Sequence, residues 1–309
     1  MKRLKSSIVE QELAKVSCFL NPFTDINIFS NKSRNIYNKP YIFRVDGIYF
    51  DIRQTCGLNK EKNEAIFDGI DKAAGVVFQS EFDLTLISKF HKREDKPFEI
   101  IHNGVNIDFF SSAGMNRRRK FKINDDDTVF MTIAKWRAHK RLQDIINVFC
   151  KYEQGNTRKC HLIILGNSIA YDDHKHPRIY SIGYVEPNRL PQWYRTADIF
   201  LFFSWLDHCP NTVVEAIACG LPVICTNQGG THELIEATKG GIVVDADDEF
   251  NFEPVDLYNP PRPDYEKVLT AIDEMVVNYD KYLQGIDRTP IDINNVAIKY
   301  MRFIRQVLS

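Results

Sequence analysis

The chain has 309 residues, 44% of them hydrophobic and 12% aromatic, and its 40 basic and 41 acidic side chains give a formal net charge of -1. That composition excludes a disordered or low-complexity chain, and the length exceeds what one hydrophobic core fills comfortably, so two domains are expected. No basic excess exists to neutralise a run of phosphates, which argues against nucleic acid as a partner.

Seven cysteines, at positions 18, 56, 150, 160, 209, 219 and 225, are scattered without a CxxC pair. They read as reduced, buried thiols of a cytoplasmic protein, not as a disulfide or zinc framework. The basic opening MKRLKSSIVEQELAKVSCFL is interrupted by Glu10, Glu12 and Lys15, unlike a signal peptide, and no apolar run reaches the roughly 18 residues of a membrane span.

In chain order, the first half alternates YIFRVDG from Tyr41, a helix near Lys62 to Ala73, GVVFQS from Gly75, a helix near Phe82 to Phe90, and FEIIHNG from Phe98. The stretch FFSSAGMNRRRKFKINDDD from Phe109 has little apolar periodicity and reads as a joint. From Thr128 the alternation resumes with TVFMTIA, RLQDIINVFCKY, HLIILG, RLPQWYRTA, DIFLFFS, TVVEAIACG, PVICT, HELIEAT and GIVVDA. Short continuous apolar strands between helices imply a parallel sheet buried on both faces. The expected fold class is α/β with two Rossmann-like, doubly wound domains facing a cleft, at 1–115 and 124–289. The first is small and lacks a glycine-rich turn after its earliest strand candidates. A last helix at about 290–309 carries Val296, Tyr300, Phe303, Ile304 and Val307 at helical spacing and packs back on one of the domains.

The stretch SWLDHCPNTVVEAIACG leaves the carboxyl end of a buried strand, where open α/β sheets bind ligands. Asn211 reads as an N-cap, Gly220 as the residue closing the helix, and the N–H groups of Thr212, Val213 and Val214 as free donors for a phosphate. Glu215 would stand one turn in, suited to ribose hydroxyls. On these residues alone a plainer reading stays open, with Glu215 complementing the helix dipole and Asp207 a solvated loop charge. Lys135 and Lys140, in the loop of IAKWRAHKRL, could neutralise a diphosphate from the same sheet edge. The types in DDHKHP at Asp172 to Pro177 suit a metal, but a solvated loop explains them better, as it does RRRKFK at Arg117 to Lys122.

Taken together, four segments in order resemble glycosyltransferase family 4, whose members have the two-domain GT-B fold. IIHNGVNIDFF is similar to the family's PNGVD segment and brings in Asn103 and Gly104. AKWRAHKR corresponds to GRLxxxKG, with Lys135 at the arginine and Lys140 at the lysine. IGYVEPNRLPQWYRTADIFLFFS resembles GYVxxxxLxxxYxxADxxxxPS, and DHCPNTVVEAIACGLPVICTNQGGTHELI resembles ExxxxxxxEAxACGxPVIxxxxGGxxEx.

The resemblance implies a retaining, metal-independent transfer from a nucleotide diphosphate sugar, UDP favoured over GDP, to a glycan or lipid-linked acceptor, with no cofactor. Asp207 and Glu215 fall at the two ends of the E-x7-E motif, with implied roles at the donor sugar and the ribose. Asp207 is one methylene shorter than the usual Glu, which bears on sugar specificity. Lys135, Lys140 and the N–H groups of Thr212, Val213 and Val214, on the helix that Asn211 would cap, would stabilise the diphosphate, and backbone groups of Tyr184 and Val185 could hold the base, with a plain loop as the alternative. Asp46 stands where many members have the histidine of a VHG segment, with Arg44 and Asp51 as further acceptor-side candidates. The departures leave two alternatives, a catalytically poor nucleotide-sugar or glycan binder and another GT-B enzyme such as an epimerase. The basic run at Arg117 to Lys122 also leaves peripheral contact with an anionic membrane open.

Overall fold

The computed structural model describes residues 16–17, 26–30, 39–51, 57–92, 95–167 and 176–309. The chain divides into two compact units: 1–106 with 250–256 and 289–309, and 107–249 with 257–288.

The second unit is built on a six-stranded parallel sheet of β8 (Thr128–Ile133), β9 (Cys160–Leu165), β10 (Ile179–Gly183), β11 (Ile199–Phe202), β12 (Val223–Thr226) and β13 (Gly241–Val244). Every residue of β8, β9, β11 and β12 is buried, as their unbroken apolar runs demand. The strands lie in the order β10-β9-β8-β11-β12-β13, the doubly wound 3-2-1-4-5-6 arrangement, so the winding reverses between β8 and β11. In open α/β sheets ligands bind at the carboxyl ends of the strands where the winding reverses, here β8 and β11. The helices include α3 (Leu142–Gly155), α4 (Leu190–Tyr194), α5 (Asn211–Ala218), α6 (Thr231–Thr238), α7 (Tyr265–Val277) and α8 (Tyr279–Gly285). Ile145, Phe149 and Tyr152 of α3 and Val268, Ile272 and Met275 of α7 fill one face of the core.

In the first unit, β1 (Val16–Ser17), β2 (Ile26–Ser30), β3 (Tyr41–Arg44), β6 (Gly75–Phe78) and β7 (Phe98–Ile100) form a five-stranded parallel sheet in that order. A separate two-stranded ribbon pairs β4 (Phe50–Asp51) with β5 (Gly57–Leu58). The alternation read from the sequence starts at Tyr41 and does not include β1, two residues long, or β2, INIFS. Its two helices are α1 (Lys60–Lys72), capped by the Asn59 side chain, and α2 (Glu81–Phe90), capped by Ser80. The last helix, α9 (Ile293–Leu308), belongs to this unit, where Val296, Tyr300, Phe303 and Ile304 pack with Ile28, Ile42 and Val77.

The joint differs from the expected one. The division falls after Asn106, not at 115, because 107–118 is anchored to the second unit. Phe110 is buried against Tyr194, Ser111 accepts from Arg195 Nε at 2.7 Å, and the Arg117 amide donates to Thr196 Oγ1 at 3.0 Å. Nor is RRRKFK wholly a solvated run. Arg117 stacks 5.0 Å over Trp193, and Arg118 pairs with Asp198 at 2.6 Å while bonding the carbonyls of Thr196 and Asp127. Residues 172–175 of the DDHKHP loop and the Asp51 side chain lie outside the described residues. Among the described residues no helix is long and apolar enough to cross a membrane.

Candidate functional site

At the winding reversal, β8 runs into the loop that carries Lys135 and Lys140, and β11 into the loop that carries Asp207. The two loops are tied together, since the Trp205 amide donates to the His139 carbonyl at 2.8 Å. Lys140 Nζ pairs directly with Asp207 Oδ2, both side chains being four-fifths buried, and Ser204 Oγ donates to the same oxygen at 3.3 Å. Burial pushes the Asp207 carboxyl up, but the Lys140 ammonium and the nearby His208 and His139 outweigh it and hold the group below its ordinary range. Asp207 is therefore a paired carboxylate inside the site and not a solvated loop charge. Lys135 is exposed and pairs with no acid among the described residues.

The Asp207 loop is fixed by strain and by glycine. Leu206 adopts a left-handed φ of 56°, unusual for a branched side chain. Gly229, at φ 107°, lies so close that a Cβ there would stand 2.8 Å from the Asp207 carbonyl oxygen, and the next amide, Gly230, donates to that oxygen at 2.7 Å. Beside Lys140, His139 is held as a neutral imidazole, its pKa lowered to about 4 by burial and then by the Lys140 charge, and its Nδ1 is buried without a hydrogen-bond partner. Arg141 follows at the left-handed φ of 53°, where the resembled GRLxxxKG segment has glycine. Its fully buried guanidinium forms an ion pair with the equally buried Asp247 at 2.8 Å and lies 5.9 Å from the Trp205 ring.

Helix α5 corrects the capping prediction. Asn211 is its first residue and does not cap it; Pro210 holds the N-cap position, and no side chain caps the helix. Proline's fixed φ and missing N–H suit the start of a helix, so the break falls one residue earlier than asparagine's capping preference suggests. The Val213 and Val214 amides both donate to the Pro210 carbonyl, at 3.1 and 3.3 Å, so they are not the free donors expected. The unsatisfied amides of the first turn are those of Asn211 and Thr212. Gly220 does close the helix in the left-handed region, at φ 75°, with the Gly220 and Leu221 amides bonding back to Ile217 and Ala216.

Glu215 is 6% exposed and accepts a hydrogen bond from the Tyr194 hydroxyl at 3.1 Å; the same hydroxyl lies 3.2 Å from the Thr212 carbonyl. It is thus an oriented, buried carboxylate, more enclosed than a pocket rim and unlike a group that merely complements a helix dipole. Tyr184 is exposed at the end of β10, its hydroxyl 3.4 Å from Glu186, and Val185 beside it is half-buried.

The first unit gathers a different set. Arg44 ends β3 and Asp46 follows it, Gln79 follows β6 and Asn103 follows β7, and the four side chains close a ring. Gln79 Nε2 donates to Asp46 Oδ1 at 2.9 Å, Asn103 Nδ2 donates to Gln79 Oε1 at 2.8 Å, Arg44 Nη2 donates to Asn103 Oδ1 at 2.7 Å, and Arg44 pairs with Asp46 at 3.1 Å. Gly104 has a packing role, because a Cβ there would stand 2.8 Å from Val296 Cγ2 of α9. Sequence reasoning missed Gln79, Tyr194, His139 and Arg141. Tyr194 lay inside a recognised segment and Arg141 beside Lys140, but Gln79 carried no local signal.

Residues 115–252 match the family model described as glycosyl transferases group 1. The chain is 22% identical to an uncharacterized glycosyltransferase of Methanocaldococcus jannaschii over 87% of this chain and 72% of that protein. It is 23% identical to the N-acetyl-alpha-D-glucosaminyl L-malate synthase of Bacillus anthracis over 62% of this chain, and there it spans about half, 51%, of the relative's length. Among solved structures, Anabaena HepE in complex with UDP superimposes with a TM-score of 0.68 at 12% identity, over 98% of this chain and 82% of that one. The chain thus has the GT-B fold of glycosyltransferases and, with Lys140, Asp207 and Glu215 all inside the matched stretch, is an enzyme of the sugar-transferring class.

Proposed function

We propose that the second unit binds a nucleotide diphosphate sugar at the carboxyl ends of β8 and β11, and that the enzyme transfers the sugar, with retention of anomeric configuration and without a metal ion, to a glycan or lipid-linked acceptor. The observation that carries this reading is the meeting of Lys140 and Asp207 at the winding reversal, with Lys135 on the same loop, the first turn of α5 downstream and Glu215 enclosed behind it. The Lys140 and Asp207 charges neutralise each other until a more negative group arrives. A diphosphate draws Lys140 to itself and frees Asp207 for hydroxyls of the donor sugar, while Lys135 and the Asn211 and Thr212 amides add positive potential.

In the transfer, the bond from the anomeric carbon to the diphosphate oxygen breaks and the diphosphate keeps the electron pair. The acceptor hydroxyl oxygen bonds to the same face of that carbon, and its proton passes to the departing diphosphate. The two lysines act where negative charge develops, a task worth several kcal/mol of barrier when the donors are preorganised. Glu215, oriented by Tyr194, takes the ribose hydroxyls, and the backbone at Tyr184 and Val185 takes the base. UDP is favoured over GDP, a choice supported by the structural likeness to HepE, which was solved with UDP. Asp46 and Asn103 in the first unit are assigned to the acceptor. The free thiols of Cys150, Cys160, Cys209, Cys219 and Cys225 fit a cytoplasmic enzyme. With the guanidiniums of Arg117 and Arg118 engaged by their own unit, only the rest of the RRRKFK run remains for a peripheral membrane contact.

The test is a panel of UDP- and GDP-sugars in EDTA, reading thermal stabilisation and release of nucleoside diphosphate for the wild type, Glu215→Ala and Lys140→Ala. One nucleotide series should stabilise the wild type and lose its diphosphate, and both variants should lose release while remaining folded. Normal release by both variants contradicts the site.

A further inference from the structure

The ring of Arg44, Asp46, Gln79 and Asn103 lies at the carboxyl ends of three neighbouring strands, β3, β6 and β7, the edge at which open α/β sheets meet their ligands. Its hydrogen bonds fix every orientation. Gln79 must point Nε2 at the carboxylate and Oε1 at the Asn103 amide, and Asn103 must then turn Oδ1 toward the guanidinium; reversing either amide sets donor against donor or oxygen against oxygen. Gln79 is the buried hub, 4% exposed, with Nε2 also donating to the Val45 carbonyl at 3.1 Å. Asp46 is the open corner, its side chain 29% exposed against 13% for Arg44. A residue needed only to fill this space would be apolar, because burying an amide costs free energy unless all its partners are met. What the buried amide adds is a fixed geometry for the groups at the surface.

We infer that Gln79 is a positioning residue: it holds the Asp46 carboxylate and the Asn103 amide as a paired acceptor and donor for vicinal sugar hydroxyls, and so sets how the acceptor sugar is presented. The inference rests on the glycosyltransferase reading for its substrate, and on the ring alone for its geometry. The experiment compares Gln79→Leu, which removes both functions of the amide, with Gln79→Glu, which keeps an oxygen facing Asn103 but replaces the donor to Asp46 with a like charge. Side-chain amide exchange at Asn103, followed by NMR in asparagine-labelled protein, should quicken in Gln79→Leu and stay slow in Gln79→Glu. Sugar transfer should fall in both, by roughly 10²-fold in kcat as expected for a misplaced reacting group, with nucleoside diphosphate affinity unchanged.

Slow Asn103 exchange in Gln79→Leu overturns the inference, as does wild-type turnover in both variants. Should Gln79→Leu fail to fold, Gln79→Glu still decides it, because a purely structural glutamine predicts no loss of kcat in a folded variant. Failure of the glycosyltransferase reading shows differently, as a wild type that releases no nucleoside diphosphate from any sugar nucleotide, and the Asn103 exchange then still decides whether Gln79 positions its neighbours.

Discussion

The two units each present polar side chains at the carboxyl edge of a parallel sheet, but they assemble them in opposite ways. In the second unit the charged groups come from two continuous stretches, Lys135 to Arg141 and Trp205 to Glu215, which leave β8 and β11 where the winding reverses. In the first they are four separate residues at the ends of three strands, with Arg44 and Asn103 59 positions apart. Loop-built sites leave continuous motifs, whereas a ring closed across strands leaves scattered positions: Arg44, Asp46 and Asn103 each carry a signal of their own, and Gln79, which joins them, carries none.

The comparison breaks first if the loop-built site does not depend on the buried pair beneath it. Arg141 and Asp247 are both fully buried, and burial drives each toward its neutral form, the arginine down and the aspartate up, against the pull of the partner charge. Arg141→Met leaves the Asp247 charge alone and should cost about 3–5 kcal/mol in chemical denaturation, whereas Arg141→Met with Asp247→Leu should recover most of it. Equal losses in the single and double variants would mean that packing, and not the uncompensated charge, is what matters there.

His139 gives the next largest effect. Its folded pKa of about 4 lies below the ordinary 6.5, so the unfolded chain binds a proton that the folded one refuses. Stability from this group is complete above pH 6.5 and is lost as the pH falls through 6.5 toward about 4, by up to about 3 kcal/mol. The depressed Asp207 acts in the same direction, its contribution lost as the pH falls through its own lowered pKa. His139→Gln should flatten the upper part of that acid limb in thermal melts from pH 7 to 4. An unchanged slope would remove His139 from the account.

In the first unit the contrast is sharpened by Gly104, named in a recognised segment yet packed against α9. Gly104→Ala forces Val296 Cγ2 to give way from 2.8 Å, and overpacking of this kind costs about 1–3 kcal/mol. Thermal melts should show the loss with nucleotide binding intact. A selective loss of acceptor use at unchanged stability would return Gly104 to the site.

Much of the second unit was legible because short, mostly apolar and β-branched runs such as TVFMTI and CHLIIL have the length and composition of strands buried on both faces, and their alternation with helices points to a parallel sheet. Lys140, Asp207 and Glu215 were legible as loop and helix-start charges. Their partners were not: a sequence does not say that Lys140 reaches Asp207, that Tyr194 turns Glu215, or that Pro210 displaces Asn211 as the cap. In the first unit β1 is two residues long and β2, INIFS, stands outside the strand and helix alternation that begins at Tyr41, and Gln79 looks like any polar residue after a strand. Its role exists only once β3, β6 and β7 are side by side.

The central claim is that Lys140 exchanges Asp207 for a diphosphate, and calorimetric titration of UDP and GDP into the wild type, Lys140→Ala and Asp207→Asn tests it most directly. The account predicts that one of the two nucleotides binds the wild type, that Lys140→Ala weakens it at least about tenfold, the 1.4 kcal/mol of one lost charge contact, and that Asp207→Asn binds as tightly as the wild type or tighter because the lysine is released in advance. Equal affinity in the wild type and Lys140→Ala, or binding weakened by Asp207→Asn as much as by Lys140→Ala, would contradict it.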